Sequence, residues 1–393
     1  MSEIYYDPYD FEIDADPHPI WRRMRDEAPL YRNDKYEFWA LSRYQDVASG
    51  LTDWKTFSSA RGTLLELIRN NVQFPPGTIL FEDPPLHGAH RALMARLFTP
   101  RRIAQIEPRV RAYCARSLDP LTGSSAIDFI ADLGAEMPMR VIGVLLGIPE
   151  EDQEELRDSI DAGLSLEEGH RDGPVDHGER FAKYIDWRRK NPSDDLMTEL
   201  LNARFVDDHG CERTLRDDEL MSYIALLAGA GNETTTRLIG WTAYLLDRFP
   251  DQRRLLAEDR SLIPNAIEEI LRYEAPSPVQ ARYVMRDVEL HGTRVPEGST
   301  LLLINGSANR DEREFERADR LDVTRRDVHH LSFGYGIHFC LGASLARLEG
   351  CVALEEVLKR WTEWEIDRGR AEMARTSTVR GWKTLPARIG PRR

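Results

Sequence analysis

Cysteine is scarce in this chain. Cys114, Cys211, Cys340 and Cys351 are the four among 393 residues, too few and too scattered for a secreted disulfide framework. No Cys-x-x-Cys pair occurs, so a zinc ribbon and a covalently attached heme both lack sequence support. Basic residues are in deficit, 53 Lys+Arg against 67 Asp+Glu for a formal net charge of −14, which argues against general nucleic-acid binding and against attachment to an anionic membrane. There is no low-complexity tract, internal repeat or Gly/Ser linker. The opening MSEIYYDPYDFEIDADPHP is acidic and carries no apolar run, so neither a signal peptide nor a membrane anchor is expected. What remains is an ordinary globular composition, read as one cytoplasmic domain over 1–393.

Periodicity predicts a mainly α chain with a small sheet component. Residues 36–41 read as a strand after an Asn33-Asp34 turn, and 44–51 as a short helix. From 84 to 262 the pattern is mostly helical, punctuated at Pro100, Pro120, Gly147-Ile148-Pro149 and Pro192. Within it, 215–249 opens on Asp217, Asp218 and Glu219, stops before Pro250 and is apolar on nearly every face, as a helix buried through the core should be. Strands at 288–290 and 300–304 are expected to be joined through His291-Gly292 and Pro296-Glu297-Gly298, and a second long helix should span 342–361.

The run Phe333-Gly334-Tyr335-Gly336-Ile337-His338-Phe339-Cys340-Leu341-Gly342 holds three glycines in ten residues, which excludes a stable helix or strand and predicts a tight loop. It leads into an apolar-periodic helix, so Cys340 stands at a helix N-terminus, where free N–H groups favour a thiolate. Such a thiolate can ligate an iron. The competing readings are a small buried thiol, preferred for Cys114, Cys211 and Cys351, and a zinc site of His329, His330, His338 and Cys340.

Ala228-Gly229-Ala230-Gly231-Asn232-Glu233-Thr234-Thr235-Thr236 lies in the middle of the buried helix. Its glycines weaken the helix by about 1 kcal/mol each relative to Ala, which predicts a local break with a Thr hydroxyl competing for a carbonyl. An acid beside an alcohol in an apolar core suggests proton handling; the plain alternative is a packing kink with Glu233 paired to Arg237. No third glycine completes Gly-x-Gly-x-x-Gly and no Gly-Lys-Ser/Thr follows, so a nucleotide loop is excluded.

The cysteine run resembles the heme-binding loop of the cytochrome P450 family, Phe-x-x-Gly-x-His-x-Cys-x-Gly, with Phe333, Gly336, His338, Cys340 and Gly342 matching. The glycine-rich stretch resembles the same family's oxygen-activating groove, with Ala230-Gly231 as its small pair, Glu233 as the acid and Thr234 as the alcohol. Glu269 and Arg272 match its Glu-x-x-Arg, and Asp319-Arg320-Leu321 its Asp-Arg-Phe, with Leu in place of Phe; these are assigned to folding support. His87 and Arg91, in a segment resembling the family's His-x-x-x-Arg, together with Arg282 and His338 match positions that hold the heme propionates.

The resemblance implies the P450 fold, a large helical region with a smaller β region around a buried heme b (iron protoporphyrin IX) whose axial ligand is the Cys340 thiolate. It implies cofactor contacts from Gly231, Phe333 and Gly342, proton delivery by Glu233 and Thr234, and insertion of one oxygen atom from O2 into a lipophilic small molecule. Electrons would come from a separate ferredoxin and its NAD(P)H-dependent reductase. Arg91, Arg96, Arg101, Arg102, Arg109 and Arg111, opposed within that stretch only by Glu107, would suit docking of an acidic carrier. Peroxide-driven or non-oxygenating heme chemistry, or a heme gas-binding sensor without turnover, are the alternatives. Substrate-lining segments are expected at 57–81, 156–181, 225–234, 276–283 and 379–382, with a solvated mobile loop at 167–179.

Overall fold

Proline marks where helices begin. Pro100 and Pro250 occupy first-turn positions, where the missing N–H costs nothing, and open the helices Pro100–Leu118 and Pro250–Glu258. The computed structural model describes residues 3–74, 77–96, 98–154, 181–207, 210–376 and 379–390. The expected pocket segment 156–181 and the loop 167–179 fall outside the described residues, apart from Phe181.

The long buried helix runs over Asp217–Arg248. Its start is fixed by Glu219, whose carboxylate accepts the Arg216 N–H at 2.8 Å and so satisfies a donor the first turn leaves over. The second long helix spans Ala343–Arg360. These two, with Pro100–Leu118, Met137–Leu146 and Ile263–Tyr273, enclose the largest hydrophobic core, in which Leu133, Tyr223, Leu245, Ile267, Ile270 and Leu358 are almost wholly buried. Glycine permits the tightest of these approaches. A Cβ on Gly231 would come within 2.5 Å of Ile142 in Met137–Leu146.

The β component is a five-stranded sheet ordered Leu30–Asn33, Phe38–Leu41, Thr300–Leu303, Gln280–Val284, Phe57–Ser58, with smaller sheets beside it. Thr300–Leu303 pairs parallel to Phe38–Leu41 and antiparallel to Gln280–Val284. The expected link between 288–290 and 300–304 is therefore corrected. Val288–Leu290 pairs instead with Thr293–Val295 through His291 and Gly292, whose φ values of 49° and 73° form the positive-φ pair a two-residue hairpin demands. Alternation in Gln280–Val284 puts Ala281 and Arg282 on opposite faces, and the Arg282 face turns toward the cysteine loop.

The expected break in the long helix is also corrected. The helix is continuous through Gly229 and Gly231. Thr234 Oγ1 donates to the Ala230 carbonyl at 2.9 Å without opening the ladder, and Thr236 Oγ1 bonds Asn232 and Gly134 carbonyls. Among the described residues no helix is long and apolar enough to cross a membrane.

Candidate functional site

Two positive-φ glycines, Gly334 and Gly336, fold the cysteine run back on itself, and the Cys340 N–H closes the loop on the Phe333 carbonyl at 2.7 Å. Gly336 has a second reason to be glycine: a Cβ there would stand 3.1 Å from the Leu51 carbonyl. Gly342 caps the helix Ala343–Arg360, and a Cβ on it would lie 4.0 Å from the Cys340 sulfur. Cys340 is exposed as a residue, although protein surrounds its thiol deeply. Burial pushes its thiol up; the N–H groups of Gly342 and Ala343 and the charges of Arg91 and Arg347 pull the other way.

Four side chains expected to act together do converge beside this loop. The rings of His87 and His338 lie 4.4 Å apart between centroids, and burial, then His87, Arg282 and Arg91, push the His338 imidazole down to about 3. Burial lowers Arg282 to about 10, opposed by Asp83, and among the described residues its guanidinium meets no carboxylate at ion-pair distance. Arg91 donates to the Phe339 carbonyl at 2.5 Å. The Nε2 atoms of His87 and His338 are buried with no hydrogen-bond partner among the described residues. A cluster so rich in donors and so poor in anions is costly alone and is built to receive an anionic group. His90, by contrast, is paired with Glu82 at 2.8 Å and packed against Phe205 and Tyr223, a structural histidine.

The zinc alternative finds no ligand set. Among the described residues no three His, Cys, Asp or Glu side chains assemble as a metal requires. His330 turns to Glu268, and His338 to His87.

On the long helix, Ala230 is exposed and Thr234 half-buried one turn on, a face left open in an otherwise buried element. Glu233 does not share that face. It is buried and ion-paired with Arg237, which also donates to the Trp382 carbonyl, as the plain packing alternative anticipates. Gly231 has its close approach to Ile142, so its need for glycine is met by helix packing.

The family's sequence profile, Cytochrome P450, matches residues 179–385. Cytochrome P450 123 of Mycobacterium tuberculosis is 39% identical, covering 99% of this chain and 98% of its own length. The chain belongs to the cytochrome P450 family. The vitamin D(3) 25-hydroxylase of Pseudonocardia autotrophica is 37% identical over 96% of this chain and 94% of its own. The solved cytochrome P450 of Chondromyces apiculatus has the same fold, with a TM-score of 0.88 at 35% identity and 98% of each chain covered.

The protein is thus a P450 monooxygenase, and the family's prosthetic group is a heme held by a cysteine thiolate. The residues present fit such a group. Its sulfur ligand would be the exposed yet deeply placed Cys340, and the orphaned imidazole nitrogens and unpaired Arg282 would meet its carboxylates.

Sequence reasoning missed the groups that support this P450 site from behind. Glu349 on the cysteine helix is buried, among the described residues accepts only from Thr235 Oγ1 at 3.3 Å, and has its carboxyl raised well above the usual range by burial. Such a carboxyl contributes its full stability below the ordinary carboxylate pKa and loses it as pH rises toward the folded value. Glu349→Gln removes that dependence. Melting curves should therefore show the variant gaining on the wild type between pH 5 and pH 8, by up to about 1.4 kcal/mol per pH unit. A gap constant with pH would mean Glu349 is ionised in the fold.

Proposed function

We propose that this P450 binds heme b through the Cys340 thiolate and inserts one oxygen atom from O2 into a lipophilic small molecule, working in the cytoplasm as one functional unit over 1–393. The observation that carries the reading is the convergence of His87, Arg91, Arg282 and His338 beside an exposed but deeply set cysteine. When bound, the heme would supply the redox centre at which externally supplied electrons reduce and so activate dioxygen. The protein's share is binding, orientation and protons.

His87, Arg91, Arg282 and His338 would hold the propionates, Arg91 while also fixed on the Phe339 carbonyl. Phe333 and Gly342 would shape the space around the sulfur, and the helix face beside Gly231 would border the opposite side. Thr234 carries the hydroxyl nearest in sequence to the exposed Ala230 face and would pass a proton there. Glu233 would resupply it, turning from Arg237 to do so.

The likeness to a vitamin D(3) hydroxylase supports a hydrophobic substrate and hydroxylation as the outcome. Electrons would arrive from a ferredoxin served by an NAD(P)H-dependent reductase. Arg102 is tied to Glu199, and Arg111 to Glu107, Glu355 and Glu356, but Arg96, Arg101 and Arg109 are exposed and form no ion pair among the described residues. Those three would present positive charge to an acidic carrier on a protein that is otherwise acidic.

The test is coupling. In Thr234→Ala, NAD(P)H consumption continues but hydrogen peroxide replaces most of the product, with product per electron pair falling on the order of a hundredfold. Thr234→Ser, which keeps the hydroxyl, restores it. Unchanged coupling in Thr234→Ala would remove Thr234 from proton delivery.

A further inference from the structure

Arg347 lies seven residues beyond Cys340 on the helix Ala343–Arg360. Its guanidinium is gripped at two points by Glu268, Nε to Oε1 at 2.6 Å and Nη2 to Oε2 at 2.9 Å. The grip is itself backed by His330, whose Nε2 stands 3.4 Å from Glu268 Oε2. Held in this plane, the cation lies over Phe333, Cζ 4.6 Å from the ring centroid. Phe333 is the residue whose carbonyl accepts the Cys340 N–H, so stack, loop and sulfur form one continuous unit.

We propose that Arg347 is a positioning residue for the thiolate centre: clamped by Glu268 and stacked on Phe333, its fixed positive charge favours the one-electron-reduced state and so sets when the protein accepts its first electron. The proposal rests on Cys340 being the iron ligand. The balance is simple. One electron enters from the external donor, no bond is made or broken by Arg347, and the added negative charge is met by a cation already in place.

Of the ion pair, Arg347 is the member that lies on Phe333, the residue whose carbonyl holds the Cys340 N–H. The Arg347 side chain keeps 36% of its surface exposed, so solvent screening limits the effect to several-fold. An aliphatic chain could cover the ring, but only the planar fork can both stack on it and be held at two points by a carboxylate.

The experiment is a redox titration of the heme-loaded full chain with mediator dyes and dithionite, without a protein partner, so that docking cannot contribute. In Arg347→Met the ratio of reduced to oxidised protein at the wild-type midpoint falls several-fold. Glu268→Gln keeps an acceptor for the guanidinium but deletes the opposing charge, and the ratio rises. Arg347→Lys, which keeps charge but not the fork, lies between Arg347→Met and wild type. Opposite signs for the first two are the mark of a charge effect, because loosened packing would move both the same way. An unmoved or raised ratio in Arg347→Met, or equal signs in the two variants, overturns the proposal. Should Arg347→Met not fold, the sign in Glu268→Gln and the position of Arg347→Lys decide it. A wild-type protein lacking a thiolate signature under carbon monoxide would sink the ligand reading and this proposal together; an intact signature with unmoved potentials would sink this proposal alone.

Discussion

Cys340→Ala abolishes the red-shifted Soret band of the reduced, carbon monoxide-treated protein and takes monooxygenase turnover below detection. The loss is complete because no other cysteine can substitute. Cys114 is buried in Pro100–Leu118 and Cys351 is half-buried in Ala343–Arg360; burial pushes each thiol up to about 12, where a thiolate is disfavoured. Cys211 is exposed next to the strand Glu212–Thr214. Of the four cysteines, Cys340 alone combines exposure as a residue with two backbone N–H donors and two arginines near its thiol. A second variant guards against simple misfolding. Cys340→His supplies a ligand of another kind, so a heme retained without the red-shifted band places the thiolate at 340. Persistence of that band in either variant would show the ligand to be elsewhere.

The parts of the site legible in the sequence are those set by local chain geometry. Gly334, Gly336 and Gly342 announce a loop because backbone conformation and close approach leave few alternatives to glycine, and Asp217 to Glu219 announce a helix start through the groups that start leaves unpaired. Spacing also raised the Glu233–Arg237 pair as a possibility, since i and i+4 share a helix face. Contacts between segments were not legible in this way. Glu349 and Thr235 are 114 positions apart, and nothing near either announces the other. Thr293–Val295 is too short and exposed to advertise itself as the partner of Val288–Leu290. The glycines at 229 and 231 misled for a related reason: a propensity cost of about 1 kcal/mol each is small beside the packing of a 32-residue helix through the core, so the helix stays whole.

The ion network around Glu269 shows the same division, and its disruption should be the largest stability effect in the molecule. Arg272 is wholly buried and all five of its N–H donors are matched: Nε and Nη2 to the two oxygens of Glu269 at 2.7 and 2.8 Å, Nη1 to the Asn309 and Ala318 carbonyls, and Nη2 also to the Arg320 carbonyl at 3.0 Å. The sequence motif suggests Arg320 as the third charged member. Its backbone carbonyl is what the network uses, and its side chain is exposed; the guanidinium that reaches Glu269 is Arg325, at 3.1 Å. The motif marks the right segment and the wrong side chain, because both arginines lie on one irregular stretch whose path no periodicity specifies.

From this stretch the support passes directly to the cysteine loop. The Asn309 side chain accepts the Leu331 N–H at 2.7 Å and donates to Ser332 Oγ, which in turn donates to the Leu271 carbonyl. Glu269→Ala leaves the Arg272 cation buried without its carboxylate, a change that costs about 3–5 kcal/mol, against a total stability for a folded domain of about 5–15 kcal/mol. The expected result in chemical denaturation is a midpoint lowered by a third or more, with heme retention lost at temperatures the wild type tolerates. The same assay separates the two arginines. Arg325→Ala removes a half-buried partner of Glu269 and should cost measurable stability, while Arg320→Ala should stay within about 0.5 kcal/mol of wild type, since alanine offers the same carbonyl to Arg272. The reverse order of these two variants would return the charge role to Arg320.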